Sequence, residues 1–200
     1  RGVSLDVIRY CISRGILYES LPYHSCVFVG LDRNGVPRYA ALRSTCDGPK
    51  AFKREQAGSD KRHSFCIPPE VRSRRAAVYE AAPDALAHMT LEGGRADKYR
   101  LSLGGIYVPQ DTSTDRPAKS PAALEAFLQS HPEVDELELC MDNDRAGRWA
   151  AQNIAKHYSK EYTVTVNLPP IEGYDWADMA KEEKEKRAAR SRAVCLDREL

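Results

Sequence analysis

The second half of the chain predicts an α/β fold, a mostly parallel sheet flanked by helices. A smaller α+β domain with an antiparallel hairpin precedes it. Three observations predict this. From residue 76 onward, apolar runs of strand length alternate with helical patterns, as crossover connections between parallel strands do. Two of those runs end in acids: Ala76-Ala77-Val78-Tyr79-Glu80 and Leu139-Cys140-Met141-Asp142-Asn143-Asp144. Upstream, residues 25–42 carry two strand patterns around the turn sequence Asp32-Arg33-Asn34-Gly35.

Each element follows from local chemistry. Ser4 is placed to cap a first helix with Leu5, Ile8, Cys11, Ile12 and Ile16 on or near one face, and Gly15 is a late breaker. Residues 25–31 and 36–42 form the hairpin strands, and Pro37 suggests an edge position for the second. Residues 46–62 are polar and rich in Gly, Lys and Arg, so they read as a loop, and 64–67 as a short strand. Pro68-Pro69 breaks the chain, and Arg72, Arg74 and Arg75 lead into the Glu80 strand. The domain boundary falls near 68–75. This divides the chain into a basic domain 1–75, an α/β domain 76–180 and a charged C-terminal helix 181–200.

The α/β domain runs strand 76–80, helix 83–91 (with Asp84 read as a helix-start residue), and strand 101–104. A Pro/Thr/Asp-rich loop at 108–120 leads to helix 121–130, strand 136–141, helix 145–158 and strand 162–168. Residues 175–198 read as a helical, solvated tail. Tyr79 and Trp149 read as core and not base-stacking residues, and for Trp176, in a polar turn, the choice between the two stays open. No internal repeat is visible.

Composition bounds the function. An apolar fraction of 42% is enough for a packed core. No run is long enough to span a membrane and no signal-peptide pattern is present, so no membrane partner is expected. The chain opens on Arg1 rather than Met, which reads as a piece of a longer protein with upstream targeting segments left open. The six cysteines form no Cys-x-x-Cys pair, and Cys11, Cys26, Cys66 and Cys140 lie in apolar stretches. A reducing, cytoplasmic compartment is expected. His63-x-x-Cys66 has zinc-ligand types, but a lone pair of this kind is ordinarily structural, so no zinc is expected in this chain. The net charge of +1 hides an asymmetry: residues 1–75 hold 14 Lys/Arg against 7 Asp/Glu, and residues 76–200 hold 16 against 22. A basic front half suits phosphate-rich partners, and an acidic rear half suits bound metal.

Asp142 and Asp144 alternate on an extended segment, so they point the same way. Two same-facing carboxylates at the exit of a buried strand repel each other and lose hydration. A hard divalent cation relieves both costs, and a polar turn or helix N-cap is the simpler alternative. Glu80 would share that edge if its strand is a neighbour, because open α/β sheets bind ligands beyond the carboxyl ends of their strands. One Glu and two Asp in one cleft would suit Mg²⁺-dependent phosphate chemistry.

Glu80 after one strand, Ser102-Leu103-Gly104-Gly105 near a second, and Asp142-Asn143-Asp144-Arg145-Ala146-Gly147 after a third resemble the Toprim domain. That domain is shared by bacterial primases, type IA and II topoisomerases and some nucleases. The Asp-x-Asp-Arg-Ala-Gly form is closest to the bacterial DNA primases. Arg1-Gly2-Val3-Ser4 and the hairpin from Phe28 through Leu42-Arg43 are similar to the opening of the primase catalytic core. Gly173 with Asp175-Trp176-Ala177-Asp178 resembles its third acidic cluster. Most of the chain is covered, and it looks nearest to the primase-like Toprim proteins of bacterial mobile elements. Three departures stand out. Ala81 follows the Glu where primases usually carry Gly, Asn143 replaces Gly between the aspartates, and the primase zinc ribbon is absent.

The resemblance implies Mg²⁺-dependent nucleotidyl transfer on a DNA template, with Mn²⁺ able to substitute. It makes Asp142 and Asp144 metal ligands, Glu80 a ligand or general base, and Asp175 and Asp178 further ligands. Arg43, Lys53, Lys61 and Arg62 are the basic groups expected at nucleotide or nucleic-acid phosphates, and Arg145 either braces the carboxylates or touches phosphate. The implied partners are single-stranded DNA template, nucleoside triphosphates and replication or mobilisation proteins, in a bacterial cytoplasm. The alternatives are a Toprim nuclease, in which the same acids activate water, and a non-catalytic nucleic-acid-binding module.

Overall fold

The computed structural model describes residues 2–21, 23–46, 48–49, 51–108 and 119–196, with side chains to residue 191. Arg1, residues 109–118 of the expected loop, the side chain of Cys195 and the last residues of the expected tail helix lie outside the described residues.

The chain opens with α1 (Leu5–Ser13), whose N-cap Ser4 accepts the N–H of Val7 on Oγ. That hydroxyl satisfies one of the first-turn donors left without intrahelical partners. Four antiparallel strands follow in sheet order β1-β2-β3-β4: β1 (Leu17–Ser20), β2 (Ser25–Leu31), β3 (Pro37–Arg43) and β4 (Lys53–Glu55). Asp32 holds the β2–β3 turn by accepting the N–H groups of Asn34 and Val36 on Oδ1, and its other oxygen pairs with Arg38.

Two expectations fail here. Residues 46–62 are not a loop throughout, because β4 pairs with β3 and a 3-10 turn (Lys61–His63) follows. Lys53, Arg54 and Glu55 are all exposed, so the strand carries no apolar alternation and forms through backbone pairing. In consequence β3 is interior, not an edge. Pro37 is tolerated because it is the first residue of β3, beyond the stretch Ala41–Arg43 that pairs with β4.

The second sheet is built from β5 (Cys66–Ile67), β6 (Arg75–Tyr79), β7 (Tyr99–Ser102), β8 (Glu136–Leu139) and β9 (Thr163–Val166), in order β5-β7-β6-β8-β9. All neighbours are parallel except β5, which runs antiparallel to β7. The crossovers supply α2 (Ala82–Leu91), α3 (Ala122–Ser130) and α4 (Arg145–Tyr158), and α5 (Trp176–Leu196) follows β9. Strand alternation divides the core. Ala77 and Tyr79 face α1, α2 and α5, and Ala76 and Val78 face α3 and α4. Among the described residues no helix is long and apolar enough to cross a membrane. Cys11, Cys46, Cys66 and Cys140 are free thiols. Trp149 is only half-buried. Trp176 is 6% exposed, which places it in the core.

Candidate metal and phosphate site

β6 and β8 are hydrogen-bonded parallel neighbours, with Val78 opposite Leu139. Their carboxyl ends therefore deliver Glu80 and Asp142 to one edge of the sheet. The two carboxyls lie within hydrogen-bonding reach of each other. Three more acids converge there. Asp84, the third residue of α2, is buried, Asp175 precedes α5, and Asp144 caps α4 by accepting the N–H of Gly147 at 2.7 Å.

The electrostatics record this convergence. Burial, then Asp84, Glu80, Asp175 and Asp144, push the Asp142 carboxyl up to about 8. Burial and Asp175 push Asp84 up to about 7. Glu80 is raised by burial and then by Asp144, and Asp175 is raised chiefly by burial. Like charges in a desolvated cleft favour the protonated form. Asp142 Oδ1 is buried with no hydrogen-bond partner, and such an atom is costly unless something absent from the protein meets it. A hard divalent cation fits this all-oxygen set. Glu80, Asp84, Asp142 and Asp175 are the residues that could hold it. Asp144 is exposed and shared with its helix cap. Asp178 is exposed, and Asp175 and Asp178 each accept the other's backbone N–H at the start of α5.

The turn carrying Asp142 is tied down by its neighbours. Asn143 donates its backbone N–H to Tyr174, accepts that of Gly173, and donates its side-chain amide to Pro169. Arg148 reaches both the carbonyl and Oδ1 of Asn143. A side chain stands between the aspartates because it has these partners. Arg148 is thus the brace. Arg145 is exposed, and its side chain makes no hydrogen bond or ion pair among the described residues.

Beside the acids a cavity of about 350 Å³ separates the two sheets. Arg43, Lys53, Arg54 and Glu55 line one wall, Glu80 and Pro83 the other, and Phe28 and Phe65 contribute apolar surface. Lys53 lowers the Glu80 pKa, and Arg43 those of Asp84 and Asp175, so their charges act on the acids. The other two basic candidates are committed elsewhere. Lys61 donates to the Gly104 carbonyl and pairs with Glu55, each at 3.0 Å, and Arg62 forms a forked pair with Asp60. Gly104 sits at φ +68°, the left-handed region that favours glycine, and a Cβ there would also press on the Tyr39 hydroxyl at 3.0 Å.

Sequence reasoning passed over Arg54 and gave Asp84 a helix-start role. The available signals were adjacency to Lys53 and the i,i+4 spacing from Glu80. His88, Glu92 and Glu138 also bring ligand-type atoms within 4.8 Å of one another. The Lys98 ammonium already bonds both of those carboxylates, at 2.8 and 2.5 Å, so a cation stands there.

A mostly parallel sheet with acids at its carboxyl edge, facing a basic antiparallel sheet across a cleft, defines the class as an α/β protein with an acidic sheet edge beside a basic wall. The Toprim-like family profile matches residues 77–180, and the chain belongs to that family. Residues 1–70 match a family described only as a protein of unknown function, DUF3991. No curated protein sequence matches the chain. Among solved structures, the primase fragment of the bacteriophage T7 primase-helicase protein superposes with a TM-score of 0.61 at 15% identity, over 95% of this chain and 71% of that one. The DnaG catalytic core gives a TM-score of 0.53 at 19% identity, over 96% and 69%. The DnaG primase catalytic domain bound to ssDNA gives 0.52 at 17%, over 96% and 68%. Identities this low establish a shared Toprim primase fold and nothing finer.

Proposed function

We propose that this chain is a primase-like nucleotidyltransferase core that extends a nucleic-acid strand on a single-stranded DNA template, using Mg²⁺ or Mn²⁺. The replication or transfer of a mobile element is the setting that its sequence resemblance favours. The supporting observation is the orphaned, buried Oδ1 of Asp142 inside a ring of carboxyls that opens onto a basic cavity. The primase fold of the superposable structures supports the same reading.

In this reading Asp142, Glu80, Asp84 and Asp175 hold the divalent ion, and Asp144 completes the set when its cap opens. The bound ion supplies charge neutralisation for the triphosphate and for the transferring phosphoryl group. Arg43, Lys53 and Arg54 bind and orient the phosphates, and the apolar surface of Phe28 and Phe65 excludes water. The primer 3′-hydroxyl attacks the α-phosphorus, the bond to pyrophosphate breaks, and the hydroxyl proton passes to a carboxylate such as Glu80. No protein nucleophile is required.

The test is a gel. The protein is incubated with labelled single-stranded DNA, four ribonucleotides and Mg²⁺ or Mn²⁺, with Asp142→Asn as control. New short products that vanish in the variant support polymerisation. Shortening of the labelled strand, again lost in the variant, would replace the proposal with a nuclease. Binding without either reaction, unchanged in the variant, would make it a nucleic-acid-binding module.

A further inference from the structure

Directly behind the acids lies a buried layer in which three aromatic side chains meet the backbone of the Asp142 strand. Tyr79 precedes Glu80, and His88 lies one helical turn beyond Asp84, on the same face of α2. Cys140 is two residues before Asp142 on the strand exit, and Trp176 follows Asp175. These four meet. The His88 and Trp176 rings stack with centroids 3.8 Å apart at 20°. The Tyr79 hydroxyl and His88 Nδ1 are 2.8 Å apart, and the Trp176 indole N–H donates to the Cys140 carbonyl at 3.1 Å. Tyr79, His88 and Trp176 are all at least nine-tenths buried. The layer is anchored further back, where His88 Nε2 lies 3.9 Å from Glu92 Oε1, whose carboxylate is held by Lys98 and Arg100.

We propose that His88 is a positioning residue for the metal site, holding Asp175 through its stack on Trp176 and Glu80 through its bond to Tyr79. It touches neither metal nor substrate. The acids repel one another, so their spacing must be imposed from behind, and His88 contacts two of the four elements while standing on a third. A planar ring with one acceptor nitrogen both stacks and hydrogen-bonds, which neither Phe nor Gln does in this place. The inference rests on the reading of the acids as metal ligands, and the test separates the two.

The experiment uses the full chain with Trp149→Phe, which leaves Trp176 as the sole tryptophan. Into this background go His88→Ala, His88→Phe and, as a core-destabilised control on the far side of the sheet, Ile154→Val. Mn²⁺ affinity is measured by calorimetry, Trp176 emission by fluorescence, and exchange of the Asp178 and Met179 amides, both bonded to Asp175, by NMR. Expected for His88→Ala are a loss of Mn²⁺ affinity of about tenfold or more, faster exchange at both amides and red-shifted emission. His88→Phe, which keeps the stack and loses the Tyr79 bond, should lose less, and Ile154→Val should lose nothing. Should His88→Ala not fold, His88→Phe and the exchange data carry the test. Parental Mn²⁺ affinity in the His88 variants, or unchanged amide exchange, overturns the proposal. If the parent binds no Mn²⁺, the metal reading fails, and amide exchange alone decides whether His88 positions Asp175.

Discussion

A Cβ placed on Gly147 would stand 2.1 Å from the carbonyl oxygen of Asp142, because the first turn of α4 lies directly on the strand exit. The glycine of the Asp-x-Asp-Arg-Ala-Gly run is therefore a spacer for the aspartate five residues before it. Gly147→Ala must push that backbone aside. We expect a loss of about 2 kcal/mol in urea unfolding, in the range of an overpacked core, together with weakened Mn²⁺ binding. Full stability in the variant would show that the turn yields freely.

The raised acids make stability depend on pH in a definite direction. A carboxyl whose folded pKa exceeds its unfolded value holds its proton longer in the native state, so stability falls as pH rises between the two values. For Asp142 the window runs from the ordinary value of 3.8 to about 8, and for Asp84 to about 7. His88, lowered from 6.5 to about 4 by burial first, works oppositely: the stability it contributes is lost as pH falls from 6.5 towards 4. Above pH 6.5 the acids act alone. Metal-free protein should lose on the order of 1–2 kcal/mol between pH 6.5 and 8, and Asp142→Asn should flatten that slope. Denaturant melts across the range check both.

Metal and protons compete for the same oxygens. Mn²⁺ affinity should rise between pH 6 and 8 and then level off, with proton release on binding. Calorimetry in buffers of differing ionisation enthalpy measures that release directly. A pH-independent affinity would place the metal away from Asp142 and Asp84.

Lys98, 2% exposed, neutralises Glu92 and Glu138 together. Lys98→Met leaves Glu138 without a cation in the interior, while Arg100 still holds Glu92, and should cost about 3 kcal/mol, as removal of one partner from a buried ion pair does. Adding Glu138→Gln should recover part of the loss. A lone variant as stable as the parent would mean that solvent reaches these groups.

Arg43 and Lys53 serve phosphate, not metal, in the proposed site. Alanine at both should weaken nucleoside triphosphate binding at least tenfold and reduce its salt dependence, while Mn²⁺ affinity stays near parental. Equal losses of both would merge the two functions into one site.

Much of the α/β half was legible because its elements announce themselves locally. Apolar strands and amphipathic crossovers carry their periods in the residues, and the α4 range read from the pattern, 145–158, matches the observed helix. The four-stranded sheet was less legible. β4 is three charged residues, and β1 four residues of mixed character, so neither offers a periodic signal. At the site, helix phase was the obstacle. Arg145 and Arg148 are both basic and both early in α4, yet the Asn143 contacts fall to the second.

Sequence by itself determined the α/β class, the parallel sheet and the pairing of a basic front half with an acidic rear half, because these follow from composition and from periods of two and 3.6. Tertiary structure decided which charges meet. Asp84 reads as an ordinary first-turn acid, and only the packing of α2 against α5 turns it into a buried partner of Asp175. Trp176 looks like a residue of a polar turn until His88, 88 positions earlier, closes over it. Contacts between residues this far apart leave no periodic trace in the chain, since they are set by how layers pack and not by the local backbone.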